Sequence, residues 1–109
     1  MAVSSYRRRR LVVAGRAFYW SIAPDPRWYY DAFAREDDVW LRVVPDDKRF
    51  RLAWAVDAAR RRPGELHPLV TRADFTRFTL VRRDPPPPQV TPSFVAELVR
   101  DALALVDDA

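Results

Sequence analysis

The side chains in this sequence that could do chemistry are mostly aromatic and basic. Six aromatic residues fall within residues 17–30, which read AFYWSIAPDPRWYY. Arginines come in runs at 7–10, 60–62 and 82–83. Trp, Tyr and Arg dominate the energetics of protein interfaces, and aromatic rings beside arginines can also stack on bases and hold phosphates. These residue types therefore indicate a binding surface, for a protein or for a nucleic acid.

Groups that catalyse reactions or hold metals are scarce. The chain has no Cys, and its only His, His67, lies in a predicted loop with no serine motif suited to a catalytic triad. The acidic clusters at 36–38, 46–47 and 107–108 lack the ligand spacing of a calcium loop. Two isolated glycines cannot form a phosphate-binding loop. We therefore predict no enzyme activity, no catalytic or metal-binding residue and no cofactor.

The composition predicts one basic, globular domain. The 109 residues carry a net charge of +4, and 49% of them are hydrophobic, so the whole chain 1–109 should form a single domain, with a loose tail at 1–6. Lys48 is the only lysine among 19 basic residues, a bias that a GC-rich genome also produces. A basic charge supports nucleic-acid binding only where it is clustered on one face.

The location is predicted from what the sequence lacks. The absence of cysteine fits a reducing compartment. The apolar run after the first arginines is too short for a signal peptide, and no apolar run is long enough to span a bilayer. We expect a cytoplasmic protein that does not enter a membrane.

Alternating apolar residues and turn signals predict about five strands. Gly15 supplies a tight turn between the first two strands, and the turn Pro45 to Lys48 separates the third from the fourth. In the fourth strand Phe50, Leu52 and Trp54 share one face with Val56. The predicted strands cover 8–14, 17–23, 39–45 and 49–57, with a fifth within 75–82.

The remaining segments are predicted as connections and helices. Residues 26–34 fit either a short helix or an irregular loop, 58–68 fit a connection, and a short extended piece could occupy 69–71. Residues 84–90 are a proline-rich linker to a C-terminal helix at 92–106, which Thr91 caps. The fold class is therefore α+β, a mostly antiparallel sheet with one C-terminal helix packed on one face.

Three segments resemble a known group of proteins: VVAGRAFYW, VVPDDKRFRL and VTPSFVAELVRDAL. They are similar to short uncharacterised bacterial proteins that share a domain of unknown function. Those proteins have a Gly turn followed by aromatic-x-Trp, a Pro-Asp-x-Lys turn and a C-terminal Thr-Pro-x-x-Val helix. The resemblance implies no assigned activity and no catalytic residue.

Two functions follow from the predicted faces. We expect Phe18, Trp20 and Ile22 to face the core, which leaves other aromatics for the face without a helix. A protein-interaction domain, with a second copy of itself in a homodimer as the simplest partner, would use Tyr19, Trp28, Tyr29, Tyr30 and Trp40. The alternative is a nucleic-acid-binding accessory protein that uses Arg7, Arg8, Arg9, Arg60, Arg61, Arg62, Arg82 and Arg83.

Overall fold

The structure is a computed structural model that describes residues 8–23, 39–62, 64 and 66–108. The α+β class predicted from the sequence is confirmed, with six strands in the sheet where about five were expected. The predicted tail at 1–6, Arg7, the 26–34 segment and its aromatics Trp28, Tyr29 and Tyr30 lie outside the described residues. The elements are β1 (Arg9–Val13), β2 (Arg16–Ala23), β3 (Trp40–Pro45), β4 (Phe50–Ala55), α1 (Val56–Arg61), β5 (Leu69–Arg72), β6 (Arg77–Thr79) and α2 (Pro92–Asp108).

The strands form a simple antiparallel meander. Their order in the sheet is β1-β2-β3-β4-β5-β6, so each strand pairs with its neighbours in sequence. The turn between β1 and β2 consists of Ala14 and Gly15, with φ of 53° and 76°. Positive φ at both central residues is the geometry of a type I′ turn, whose twist matches that of the flanking strands. Because Val13 lies opposite Arg16, this two-residue turn sets the register of the first hairpin.

One face of the sheet packs against α2 to form the core. The rings of Trp54 on β4 and Phe94 on α2 lie 6.0 Å apart. In the middle of α2 the side chain of Leu98 is completely buried. The helix begins where the sequence predicts, because the Thr91 hydroxyl accepts a hydrogen bond from the Phe94 N–H at 3.2 Å. Other fully buried residues of this core are Phe18, Leu41, Val43, Leu52, Val70, Val95, Val99 and Ala102.

Two ion pairs connect the C-terminal half of α2 to arginines that flank strands of the sheet. Arg49, just before β4, contacts the Asp107 carboxylate at 2.7 Å. Arg82, after β6, contacts Asp101 at 2.9 Å. Both pairs are partly exposed, so each contributes about 1 kcal/mol or less to stability. Because both acidic residues lie in the C-terminal half of α2, the pairs help to position that half of the helix against the sheet.

The segment after β4 differs from its prediction. The expected strand at 49–57 ends at Ala55, and the six-residue helix α1 takes its last two residues together with the first four of the expected connection at 58–68. Val56 therefore does not continue the face of Trp54, although it is buried. Alternation across 49–57 favoured one long strand, but the run AARRR consists of strong helix formers. The extended piece predicted at 69–71 is β5, and β6 lies within the expected 75–82 region.

The prediction for Ile22 was wrong. It was placed with Phe18 and Trp20 in the core, yet it is 37% exposed. Phe18 and Trp20 are buried as expected. Ile22 lies near the end of β2, opposite Leu41. The phase of β2 therefore assigns Ile22 to the correct face of the sheet. It does not show that this face is less covered near the end of the strand.

Candidate binding surface on the helix-free face

The face of the sheet opposite α2 carries every second residue of each strand. It is called the helix-free face below, a name that refers only to α2 and to the residues that the structure describes. Cross-strand register brings together residues that are far apart in the sequence. None of the strand positions that the structure describes on this face is acidic. They are Arg10 and Val12; Ala17, Tyr19, Ser21 and Ala23; Trp40, Arg42 and Val44; Arg51, Ala53 and Ala55; Leu69 and Thr71; and Arg77 and Thr79.

Two cross-strand rows carry the basic residues of this face. In the first row Arg10 lies opposite Tyr19, which lies opposite Val44. On the same face, the row continues toward the β6 edge of the sheet, where Thr71 lies between Arg51 and Arg77. Side chains directly opposite each other on antiparallel strands have Cβ atoms roughly 5 Å apart. The row therefore brings arginines from β1, β4 and β6 into one line across the strands.

The second row runs beside the first and forms a groove with it. Ser21 lies opposite Arg42, and Arg42 lies opposite Ala53. A cavity of about 270 Å³ opens here, and Ser21 is the buried polar residue in its wall. The lining residues are Arg8, Tyr19, Ser21, Arg42, Val44, Pro45, Asp46 and Lys48. Three positive side chains and one carboxylate thus surround a cavity large enough for a small anionic group.

A second groove continues the first toward β5. It is lined by Arg51, Thr71 and Ala73, and it shares Val44 and Lys48 with the first groove. The six basic residues of the two rows and grooves are called the basic track below: Arg8, Arg10, Arg42, Lys48, Arg51 and Arg77. Arg10 on β1 and Arg77 on β6 are five strand spacings apart. At about 4.8 Å per spacing the basic track is roughly 24 Å long.

The turn between β3 and β4 places Lys48 between the two grooves. Lys48 has a φ of 57°, and its N–H donates to the Pro45 carbonyl at 3.0 Å. The Asp47 carboxylate accepts a hydrogen bond from the Arg49 N–H at 3.2 Å, as Asp commonly does in turns. Left-handed backbone at a lysine is uncommon and is worth examining as a functional feature. Here the left-handed residue is Lys48, which lines both grooves and adds its positive charge to each of them.

The aromatic residues predicted to form a protein interface are less available than the sequence suggests. Tyr19 is half-buried, and the Arg8 guanidinium lies 5.0 Å from the centre of its ring. Trp40 is only 2% exposed in the single chain. The placement of Trp40 as an exposed interface residue is therefore wrong. Ala53 and Ala55 are buried as well, so the end of the face that carries Trp40 is already covered.

The arginines predicted to bind nucleic acid do not share one face. Arg8 joins the basic track, but Arg9 points to the other side, where its guanidinium lies 5.2 Å from the Trp20 ring. Arg60 on α1 binds the Asp57 carboxylate at 2.7 Å and the Pro87 carbonyl at 2.9 Å. Arg82 binds Asp101 on the helix side. Arg61 and Arg62 lie at the end of α1, and Arg83 is exposed beyond β6.

Sequence reasoning missed most of the basic track, although alternation was a usable signal. Arg10 follows Arg8 at the two-residue spacing of one strand face, and Arg42 alternates with Trp40 in the same way. Arg51 shares its face with Ala53 and Ala55. Selecting basic residues by strand phase would have found them, whereas selecting consecutive arginines groups side chains that point in opposite directions.

His67, the other side chain that could take part in chemistry, has a hydrogen-bond partner within the chain. The His67 Nδ1 accepts a hydrogen bond from the Arg82 backbone N–H at 3.3 Å. Within the described parts of the chain, no three His, Cys, Asp or Glu residues are close enough to hold a metal ion. No helix among the described residues has the length and apolar character needed to cross a membrane.

Comparison with known proteins finds no match. The chain matches no protein-family model, no curated protein and no solved structure. The resemblance to short bacterial proteins stays a prediction.

Proposed function

We propose that this chain is a non-catalytic, cytoplasmic protein that binds nucleic acid through the helix-free face of its sheet. The observation that carries the proposal is the basic track, which collects six positive side chains from four strands, one turn and the residue before β1. Clustering of positive charge on one face is the condition under which a basic composition supports nucleic-acid binding.

The shape of the basic track suits a linear polyanion. Its length of roughly 24 Å spans several phosphates, since a stacked strand carries one phosphate per ~3.4 Å. Arginine guanidinium groups bind phosphate oxygens in a bidentate manner, and five of the six residues in the track are arginines. The grooves would give the phosphates a recessed path between Arg8 and Arg51.

The same charges argue against face-to-face pairing of two copies. A two-fold dimer across this face would oppose the six basic residues of one protomer to those of its partner. Like charges across an interface disfavour association by several kcal/mol. Self-association through the helix-free face is therefore supported less well than binding of an anionic partner.

A protein with an acidic segment is the second candidate partner. Val44 and Pro45 give the first groove an apolar wall beside Tyr19, which a peptide side chain could contact. Interfaces of this kind combine an aromatic or apolar anchor with charge complementarity at the rim. In this case the role would be the protein-interaction domain predicted from the sequence.

The test is binding of defined polyanions as a function of salt. Fluorescence anisotropy with labelled DNA, labelled RNA and polyglutamate would give dissociation constants between 50 and 300 mM salt. We expect nucleic acid to bind more tightly than polyglutamate, with affinity falling steeply as counterions are released. If nucleic acid binds no more tightly than ~10⁻⁴ M at physiological salt, the proposal is wrong. Tighter binding of polyglutamate than of nucleic acid would favour the acidic protein partner.

A further inference from the structure

Phe75 is an exposed aromatic residue held in an unfavourable backbone conformation. Its side chain is 76% exposed, the largest value among the exposed large hydrophobic residues that the structure describes. Its φ is 70°, in the left-handed region that bulky side chains rarely adopt. The residue thus has an exposed apolar ring and a strained backbone without the burial that normally offsets them. Such a combination points to a role outside the packing of the chain.

The turn between β5 and β6 fixes Phe75 in this conformation. The Phe75 N–H donates to the Arg72 carbonyl at 2.9 Å, and the Arg72 N–H donates to the Thr76 carbonyl at 2.8 Å. The Asp74 carboxylate accepts the Thr76 N–H at 3.0 Å. Hydrogen bonds from Thr76 lower the pKa of Asp74, so the carboxylate stays ionised. The ring therefore projects from a hydrogen-bonded turn.

This turn adjoins the far end of the basic track. Ala73 lines the second groove together with Arg51 and Thr71, and its N–H donates to the Arg49 carbonyl at 2.9 Å. Arg77, two residues after Phe75, lies opposite Thr71 in the first cross-strand row. The only intervening residue between Phe75 and Arg77 is Thr76. Phe75 thus belongs to the turn that borders the second groove, at the end where a bound backbone would leave it.

We propose that the ligand is single-stranded nucleic acid, and that Phe75 stacks on one of its bases while the basic track binds the phosphates. This inference rests on the proposed function. An aromatic side chain can stack on a base only when the face of that base is free, as it is in a single strand and is not inside a duplex. Stacking tolerates any base, so this contact would add affinity without selecting a sequence.

The test compares a single strand and the corresponding duplex with variants at Phe75. Phe75→Gly removes the ring and accepts the positive φ, and Phe75→Asn is a second variant that tolerates this conformation. We expect either change to weaken single-strand binding about 5- to 150-fold, the range for loss of one stacked base. Phe75→Tyr should keep wild-type affinity. Chemical unfolding should show that Phe75→Gly is at least as stable as the wild type.

The outcomes separate this inference from the proposed function. Equal affinity for the duplex and the single strand would overturn the single-strand assignment. Unchanged single-strand affinity in Phe75→Gly, with loss of affinity when Arg51 and Arg77 are replaced by Ala, would overturn the role of Phe75 and leave the proposed function intact. Absence of salt-dependent binding to either nucleic acid would overturn both.

Discussion

Arg10 and Arg77 lie on the same face of the sheet, in the same cross-strand row, although they belong to its two opposite edges. Between them the row passes through Tyr19 and Val44 on one side and through Arg51 and Thr71 on the other. The two arginines are 67 positions apart in the sequence. Their alignment depends on the pairing of all six strands.

Replacing Arg10, Arg51 and Arg77 by Ala should weaken nucleic-acid binding and reduce its dependence on salt. Each lost phosphate contact lowers the slope of log affinity against log salt by ~0.7 on a single strand, so the triple variant should lose about 2 from the slope. Anisotropy titrations at four salt concentrations would measure it.

The matched control removes the same charge elsewhere. Arg9, Arg83 and Arg100 are exposed and do not belong to the basic track, so their triple replacement by Ala changes net charge equally. We expect it to leave most of the affinity and slope. Equal losses in the two triple variants would show that net charge, and not the basic track, drives binding.

Leu98→Ala should destabilise the protein strongly. Leu98 is fully buried between α2 and the sheet, and truncation of such a leucine costs about 2–5 kcal/mol because a cavity remains. Urea unfolding followed by tryptophan fluorescence would measure the loss. Glu97→Ala, at an exposed neighbouring position, is the control and should change stability by less than about 0.5 kcal/mol. A similarly small effect of Leu98→Ala would contradict the packing of α2 on the sheet.

Trp54→Phe should cost stability because it removes a buried hydrogen bond and part of the ring volume that fills the core. The Trp54 indole N–H donates to the Leu66 carbonyl at 3.1 Å in a buried environment. Phenylalanine keeps an aromatic ring near Phe94 but leaves that carbonyl without its donor, a change of about 1–3 kcal/mol, and the volume left by the smaller ring adds to this loss. The same unfolding assay applies. No change in the unfolding free energy would mean that the carbonyl finds another donor at no cost.

Ala14→Asn should stabilise the first hairpin. Ala14 has a φ of 53°, and Asn followed by Gly is the sequence that type I′ turns favour most. We expect a gain of about 0.5–1 kcal/mol, part of the ~1–2 kcal/mol that left-handed backbone costs an ordinary residue. Ala104→Asn, at an exposed position of α2, should instead destabilise slightly because Asn is a weaker helix former. A loss of stability in Ala14→Asn would contradict the turn geometry.

Light scattering tests the homodimer predicted from the sequence. The opposed charges of two basic tracks lead us to expect a monomer of 12.7 kDa at micromolar concentration and low salt. A dimer formed across the helix-free face would instead become more stable as salt screens the repulsion. A dimer that is present at low salt and weakened by Trp28→Ala would support the original protein-interface hypothesis.

Local patterns were sufficient to predict the α+β class and most of the elements. Aromatic and β-branched residues in 17–23 and 39–45 predict β2 and β3, Gly15 marks the first turn, and Thr91-Pro92 marks the start of α2. These signals act over a few residues, because side-chain direction and capping depend on neighbours along the chain. The same local reading missed α1, where strand alternation and helix propensity compete within 49–61.

The candidate site could not be predicted in this way. Runs such as Arg60 to Arg62 are conspicuous in the sequence, but consecutive side chains point in different directions and Arg60 is paired within the chain. Nor does alternation show how much of a face is covered, which is why Trp40 and Ile22 differ from expectation.

By itself, the sequence determined which residues of each strand share a face, where the turns fall and which side of α2 is apolar. Only the tertiary structure decided that Arg10, Arg42, Arg51 and Arg77 meet on the helix-free face. The reason is that strand phase is a local property, whereas strand order and register follow from long-range pairing and from which face α2 covers. A binding surface built from four strands is defined by those long-range choices.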